Sequence, residues 1–113
     1  MKICLIGNNL TTLLLANILS KKSLAVDIFS LNSIKHNYKT RSLGITESNL
    51  NFLCNYFKNI KNQFNPIYEI KVLIKNNKIN KEILFDKNKN TLFSIIKYNK
   101  LVSYIKSNLI SLQ

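Results

Sequence analysis

Glycine is scarce in this chain: two among 113 residues, Gly7 and Gly44, alongside a single proline, Pro66. A complete three-glycine dinucleotide turn is thereby excluded, and any nucleotide-binding loop must form around Gly7 alone. Acidic residues are few as well, 5 against 17 lysines and arginines, for a formal charge of +12. By itself that imbalance points to a polyanion, nucleic acid or an anionic membrane. The lysines are spread along the whole chain, however, and come with abundant asparagine and isoleucine, so an A/T-rich coding background accounts for much of the excess. The two cysteines, Cys4 and Cys54, fall in different elements with no C-x-x-C pair and no histidine beside them. Metal and disulfide readings both fail, leaving two buried thiols in a reducing cytoplasm as the expectation. The one histidine, His36, has no Ser, Cys or carboxylate partner in the sequence pattern and reads as a surface residue. No apolar run reaches the roughly 18 residues of a spanning helix. The N-terminal apolar run is broken at Gly7 to Asn9 and lacks a small-residue cleavage site, unlike a signal peptide.

What is present is one domain's worth of chain with 46% hydrophobic residues, enough to bury a single core. Its first thirty residues set the organisation. Ile3 to Ile6 is a continuous apolar run, as expected of a central parallel strand covered on both faces. Gly7-Asn-Asn-Leu-Thr-Thr12 makes the turn, Leu13 to Leu19 continue as a helix that Ser20-Lys-Lys-Ser23 ends, and Ala25 to Phe29 reads as a second strand. Leu31 to Thr40 is a polar connection, and Arg41-Ser-Leu-Gly-Ile45 is extended. Thr46 then caps a helix with Glu47 in its first turn and Leu50, Leu53, Cys54 and Phe57 on one face.

A break from Asn59 to Pro66 precedes a change of period. Ile70, Val72 and Ile74 alternate with Glu69, Lys71 and Lys75 as in a half-buried strand, and a turn-rich link leads to Ile83–Phe85 in a hairpin. Leu92 to Ile96 offers a third strand. Leu101, Ile105, Leu109 and Leu112 fall at helical spacing to the end of the sequence, with Lys100 and Lys106 outside.

A dinucleotide turn works by aiming the amides of a helix start at a pyrophosphate, where the helix dipole also favours negative charge. Here the pattern is Gly7-x-Asn9-x-x-Thr12. Asn9 tolerates an unusual backbone but brings a side chain into the phosphate path, and Thr12 holds the helix further from the strand. An ordinary strand-turn-helix is the competing reading. The carboxylate expected for the ribose falls by count on Asp27, inside the strand, while the strand's end carries Ser30, which offers one uncharged hydrogen bond. Asp27 is then either a ligand group or a structural partner of a lysine.

The order βαβ, Arg41-Ser-Leu-Gly-Ile45 with its following helix, Ile67-Tyr-Glu-Ile-Lys-Val72, Ile83-Leu-Phe85, and Leu92-Phe-Ser-Ile-Ile96 with Leu101 resembles the N-terminal part of the flavin-dependent aromatic hydroxylases. More closely, it resembles the ubiquinone-biosynthesis hydroxylases with the p-hydroxybenzoate hydroxylase fold. The resemblance implies an α/β protein: an incomplete Rossmann-like FAD-binding βαβ unit with the start of an inserted antiparallel β substrate domain. Its parts would be residues 1–66 for the FAD-binding portion, 67–97 for the start of the substrate-domain sheet, and 98–113 for a helix returning to the FAD-binding domain, the whole being an N-terminal fragment or truncated relative. It further implies FAD as cofactor, NAD(P)H as transient reductant, and a polyprenylated phenolic substrate hydroxylated on its ring. Gly7, Asn9, Leu10 and Thr11 would line the pyrophosphate, Ser30 would face the adenosine ribose, and Arg41 would lie near the cofactor. Val102-Ser103 stands where the family often has a Gln-Arg pair, and the family's Asp-Gly and Gly-Asp motifs are absent from the 113 residues, so no catalytic residue is assigned.

The expected location is cytoplasmic, and the polyprenyl tails of the family's substrates imply peripheral contact with the inner membrane surface as an option, although no amphipathic anchor is visible. The alternative is a non-catalytic basic module binding nucleic acid or an anionic membrane surface. Against nucleic acid, no recognised motif is present and Tyr and Phe fall mostly at core spacing. A small NAD-binding protein is a third reading, which would need the missing acid and more strand. The oligomeric state is not legible.

Overall fold

The computed structural model describes residues 2–30, 41–76, 79–86 and 90–110. The polar stretch from Leu31 to Thr40 with His36, and Leu112, lie outside the described residues. The fold is a mixture of helices and strands with small sheets. In chain order the elements are β1 (Lys2–Ile6), α1 (Leu10–Lys21), β2 (Ala25–Phe29), β3 (Ser42–Ile45), α2 (Glu47–Cys54), a 3-10 turn (Ile60–Gln63), β4 (Asn65–Ile67), β5 (Glu69–Asn76), β6 (Ile79–Asp86), β7 (Phe93–Lys97) and α3 (Tyr98–Ile110).

β1 and β2 pair in parallel, in register from Lys2↔Ala25 to Ile6↔Phe29, with α1 as the crossover. α1 ends where the sequence predicts. Lys22 and Leu24 donate their amides back to the Leu19 carbonyl, and Ser23 takes φ 59°, the left-handed conformation that closes many helices. The expectation of a strand covered on both faces is corrected. Ile3 and Leu5 are half-buried while Lys2, Cys4 and Ile6 are exposed, Ile6 at 85%. Successive strand residues point to opposite faces, so α1 covers one side and the other is open.

The expected burial of both cysteines is corrected with it: Cys4 lies on the open face and Cys54 is exposed at the end of α2. Asp27 sits opposite Cys4 in the register, and its carboxylate meets the Lys2 ammonium at 2.8 Å. That pair supports the structural role for Asp27. The Asp27 hydrogen bond and charge raise the Lys2 pKa above its ordinary value.

The core lies between the helices and a second sheet. Leu13 of α1, Leu50 and Leu53 of α2, Phe57, Ile60, Phe64, Ile96 of β7, and Leu101 and Ile105 of α3 form one buried cluster. α2 begins as its sequence dictates, with the Asn49 amide donating to the Thr46 hydroxyl. The second sheet is antiparallel in the order β3-β7-β4. The strand predicted at Leu92–Ile96 therefore exists, but it is paired with β3 and β4 and not with the hairpin. β3 and β4 both precede the hairpin in the chain and β7 follows it, so this sheet ties the first part of the chain to the second. Pro66 sits in β4, an edge strand, where a missing amide is tolerated.

β5 and β6 make the expected hairpin, longer than the apolar pattern shows, from Glu69↔Asp86 to Asn76↔Ile79. It pairs with neither other sheet. Val72, Leu73, Ile74, Ile83, Leu84 and Phe85 are all exposed, so the strand read as half-buried lacks cover. The radius of gyration is 18.5 Å and the long axis 64 Å. A compact chain of this length has a radius near 13 Å.

Ile105 is fully buried in the cluster to which α1, α2 and α3 contribute. Ile105→Ala is expected to lower stability by about 2–5 kcal/mol through loss of contacts and the cavity left behind. Leu15→Ala, at a position 43% exposed, should stay within about 0.5 kcal/mol. Urea midpoints of the helical circular dichroism signal check both.

Candidate functional site: the amide turn at the start of α1

Gly7 leaves β1 with φ 117°, a conformation a side chain disfavours, and its amide donates to the Phe29 carbonyl at 2.7 Å. A Cβ at Gly7 would meet only Thr12 Oγ1 at 3.4 Å and Asn9 Nδ2 at 3.6 Å, so backbone conformation rather than space demands glycine. The Gly7–Phe29 bond also holds the end of β2 against the turn. Ser30, the next residue, is thereby carried to the same end of the sheet as the start of α1, where the sequence reading puts a ribose contact.

Asn9 is the N-cap of α1, in extended conformation. Its Oδ1 accepts from the Thr12 amide at 2.9 Å and from the Thr12 hydroxyl at 3.1 Å, while its carbonyl accepts the Leu13 amide at 3.1 Å. The Leu10 amide donates to the Tyr98 hydroxyl at 3.3 Å. An isolated helix start leaves its first amides unsatisfied. Here two of them already face oxygens of the chain itself, and Thr11, exposed at the start of the helix, presents its amide without a partner among the described residues.

Tyr98 is the residue the sequence reading passes over. It is 7% exposed, its amide donates to the Arg41 carbonyl at 2.9 Å, and the Arg41 guanidinium lies over its ring, 5.5 Å from the centroid. One side chain thus links the Arg41 backbone, the Arg41 cation and the amide end of α1. The signal was available: Tyr98, Leu101 and Ile105 continue the apolar helical spacing backwards by three residues.

Gly7, Asn9, Leu10 and Thr11 therefore form one turn, with Ser30 carried beside it by β2 and Arg41 tied to it through Tyr98. Electrostatically the end is positive, from the helix dipole and from Arg41. It can accept an anion. Val102 packs against the core and Ser103 is exposed on α3. Asp27 stays paired with Lys2 on the open face. A cavity of about 760 Å³ lies elsewhere, along β2, between Ala16 and Ser20 of α1, Ile28 and Leu109 of α3. It follows from the unpaired outer edge of β2 and contains none of the turn residues. Among the described residues, no three His, Cys, Asp or Glu side chains gather as a metal site would need.

Two substitutions separate the backbone and side-chain contributions to this turn. Gly7→Ala should cost about 1–3 kcal/mol from the disfavoured dihedral. Tyr98→Phe should cost about 1–2 kcal/mol by leaving the Leu10 amide without its acceptor. Thermal or urea unfolding measures both, and amide exchange at Leu10 should accelerate in Tyr98→Phe alone.

No family model and no curated protein sequence matches this chain.

Proposed function

We propose that the chain supplies the adenosine-pyrophosphate end of an FAD site in a flavin-dependent monooxygenase that hydroxylates an aromatic ring, of the ubiquinone-biosynthesis type. The observation that carries this reading is the meeting of the Gly7 turn, the amide end of α1, Ser30 and Arg41 at one end of two parallel strands. In open α/β sheets that end is where dinucleotides lie. The finer reading of the fold goes with it: β1, α1 and β2 as a Rossmann-like unit, and β5 and β6 as the start of a substrate sheet.

The residues fit a pyrophosphate in position and charge, and compete with it in hydrogen bonding. The Thr11 amide and the dipole of α1 attract an anion, the Arg41 guanidinium balances its charge, and the Ser30 hydroxyl offers one bond to a ribose. The Asn9 carboxamide holds the Thr12 amide and must yield to a phosphate oxygen. A capping bond of this kind contributes about 1 kcal/mol, whereas an amide bond to a charged oxygen is roughly twice as strong as a neutral one. The exchange favours the anion. Bound there, FAD would supply the hydride acceptance from NAD(P)H and the oxygen activation that hydroxylate a polyprenylated phenol, a substrate that implies contact with the inner membrane surface. No catalytic side chain is assigned to this chain, whose part is to bind and orient.

Titration of the full chain with FAD, ADP and FMN tests the reading. FAD and ADP should compete for one site and FMN should not bind it. Asn9→Gly frees the Thr12 amide at a cost of a few tenths of a kcal/mol in capping and should tighten ADP about fivefold, while Arg41→Ala weakens it. If neither the natural chain nor Asn9→Gly binds ADP, the assignment is wrong.

A further inference from the structure

Among the described residues, the β5–β6 hairpin has two free edges and an exposed apolar face, and one of its edges is complementary to itself. A two-stranded hairpin alone is marginal in water and gains stability from a third or fourth strand. Edge strands with unpaired amides and carbonyls are templates for such pairing. Along β5 the register with β6 is unbroken, without the bulge or proline that often blunts an edge. Lys71 is the charge in its middle, and Glu69 at 3.3 Å and Glu82 at 4.0 Å offset it.

We propose that the protein dimerises by antiparallel pairing of β5 with β5 of a second copy, about a twofold axis at Val72, to give a four-stranded sheet. In that register Val72 faces Val72, Ile70 faces Ile74, Lys71 faces Leu73, and Glu69 faces Lys75, each of the last three twice by symmetry. Opposed residues in an antiparallel pair share a face, so Ile70, Val72 and Ile74 of both copies join one apolar stripe. Unlike charges meet at both ends. The neighbouring registers are worse. An axis at Lys71 sets Lys71 against Lys71, and one at Leu73 sets Lys71 against Lys75 twice. On the other edge, an axis at Leu84 of β6 opposes Glu82 to Asp86, one at Glu82 opposes that residue to itself, and one at Ile83 leaves Lys81 opposite Phe85 with no charge pair. β5 alone has a register that matches apolar to apolar and acid to base. Three of the chain's 5 acidic residues, Glu69, Glu82 and Asp86, lie on this hairpin. The complementarity is thus local to it, in a chain otherwise strongly basic.

Sedimentation equilibrium on the full chain at micromolar to hundred-micromolar concentration reads the outcome. A species of twice the 13.1 kDa chain mass is expected. Glu69→Lys or Lys75→Glu alone sets like charges opposite one another at both ends and should weaken the dimer roughly tenfold, and the double exchange should restore it. Both substitutions lie on the exposed hairpin, and unchanged helical circular dichroism verifies that the core is intact. A chain that stays monomeric throughout overturns the proposal, as does a dimer indifferent to the single reversals or not rescued by the double exchange. A monomer whose β5 amides become protected only with anionic phospholipid vesicles overturns it in favour of a lipid surface.

Discussion

The crossing of α3 over α1 is the contact on which the remaining geometry rests. Leu13 and Ala16 of α1 are buried, as are Leu101 and Ile105 of α3, and Asn17 between the helices donates its amide to the carbonyls of Leu13 at 2.9 Å and Ile105 at 3.3 Å. β7 runs directly into α3, so fixing this helix fixes the central strand of the antiparallel sheet. It also fixes Tyr98 at the junction. The hydroxyl of Tyr98 then reaches the start of α1, and its amide holds the entry to β3. An anion site at the turn would thus be positioned by hydrophobic packing about two helical turns away. The polar side of the contact is incomplete, since Asn17 Oδ1 is buried without a hydrogen-bond partner among the described residues. Such a group costs free energy that the surrounding apolar packing offsets.

Much of this order is legible in the sequence because local signals and tertiary contacts agree. Gly7 ends a strand, Thr46 caps a helix, and the spacing of Leu101, Ile105 and Leu109 marks the face of α3 that packs inward. Where reading by residue type falls short, the missing information is about neighbours. The run Ile3–Ile6 is as apolar as a strand buried on both faces, yet only one face has a covering helix. Cys4 and Ile6 are exposed because no second layer packs on that face among the described residues, which no property of β1 encodes. In the same way the composition of Phe93–Lys97 marks a strand but not its partners, since pairing depends on where α3 places it. For the turn, the sequence reading takes Asn9 as an obstacle to the proposed phosphate. The geometry adds that its side chain acts as a capping acceptor, and that Tyr98 supplies a second.

These two acceptors give the turn a particular character. A glycine-rich turn leaves its amides to solvent or ligand, whereas this one satisfies two of them internally. Stability of the helix start and availability to an anion are therefore in opposition, with Asn9 the residue at which the two demands meet. The Lys2–Asp27 pair adds little to either. It is solvent-exposed, and screening by water and salt leaves ion pairs of that kind little net contribution.

The hairpin's separation from the core has a kinetic side. Its pairs join residues close in sequence, down to Asn76 and Ile79, whereas Ser42 of β3 must find Lys97 about half the chain away. Local pairing of this kind forms in roughly 1–10 μs, and closing the larger loop carries a greater entropic cost. The hairpin can therefore assemble before the core and open while the core stays closed, as a cooperative unit of its own. Unfolding followed through the helices reports only the α1, α2 and α3 assembly. Backbone amides of β5 and β6 exchange through a smaller, separate opening.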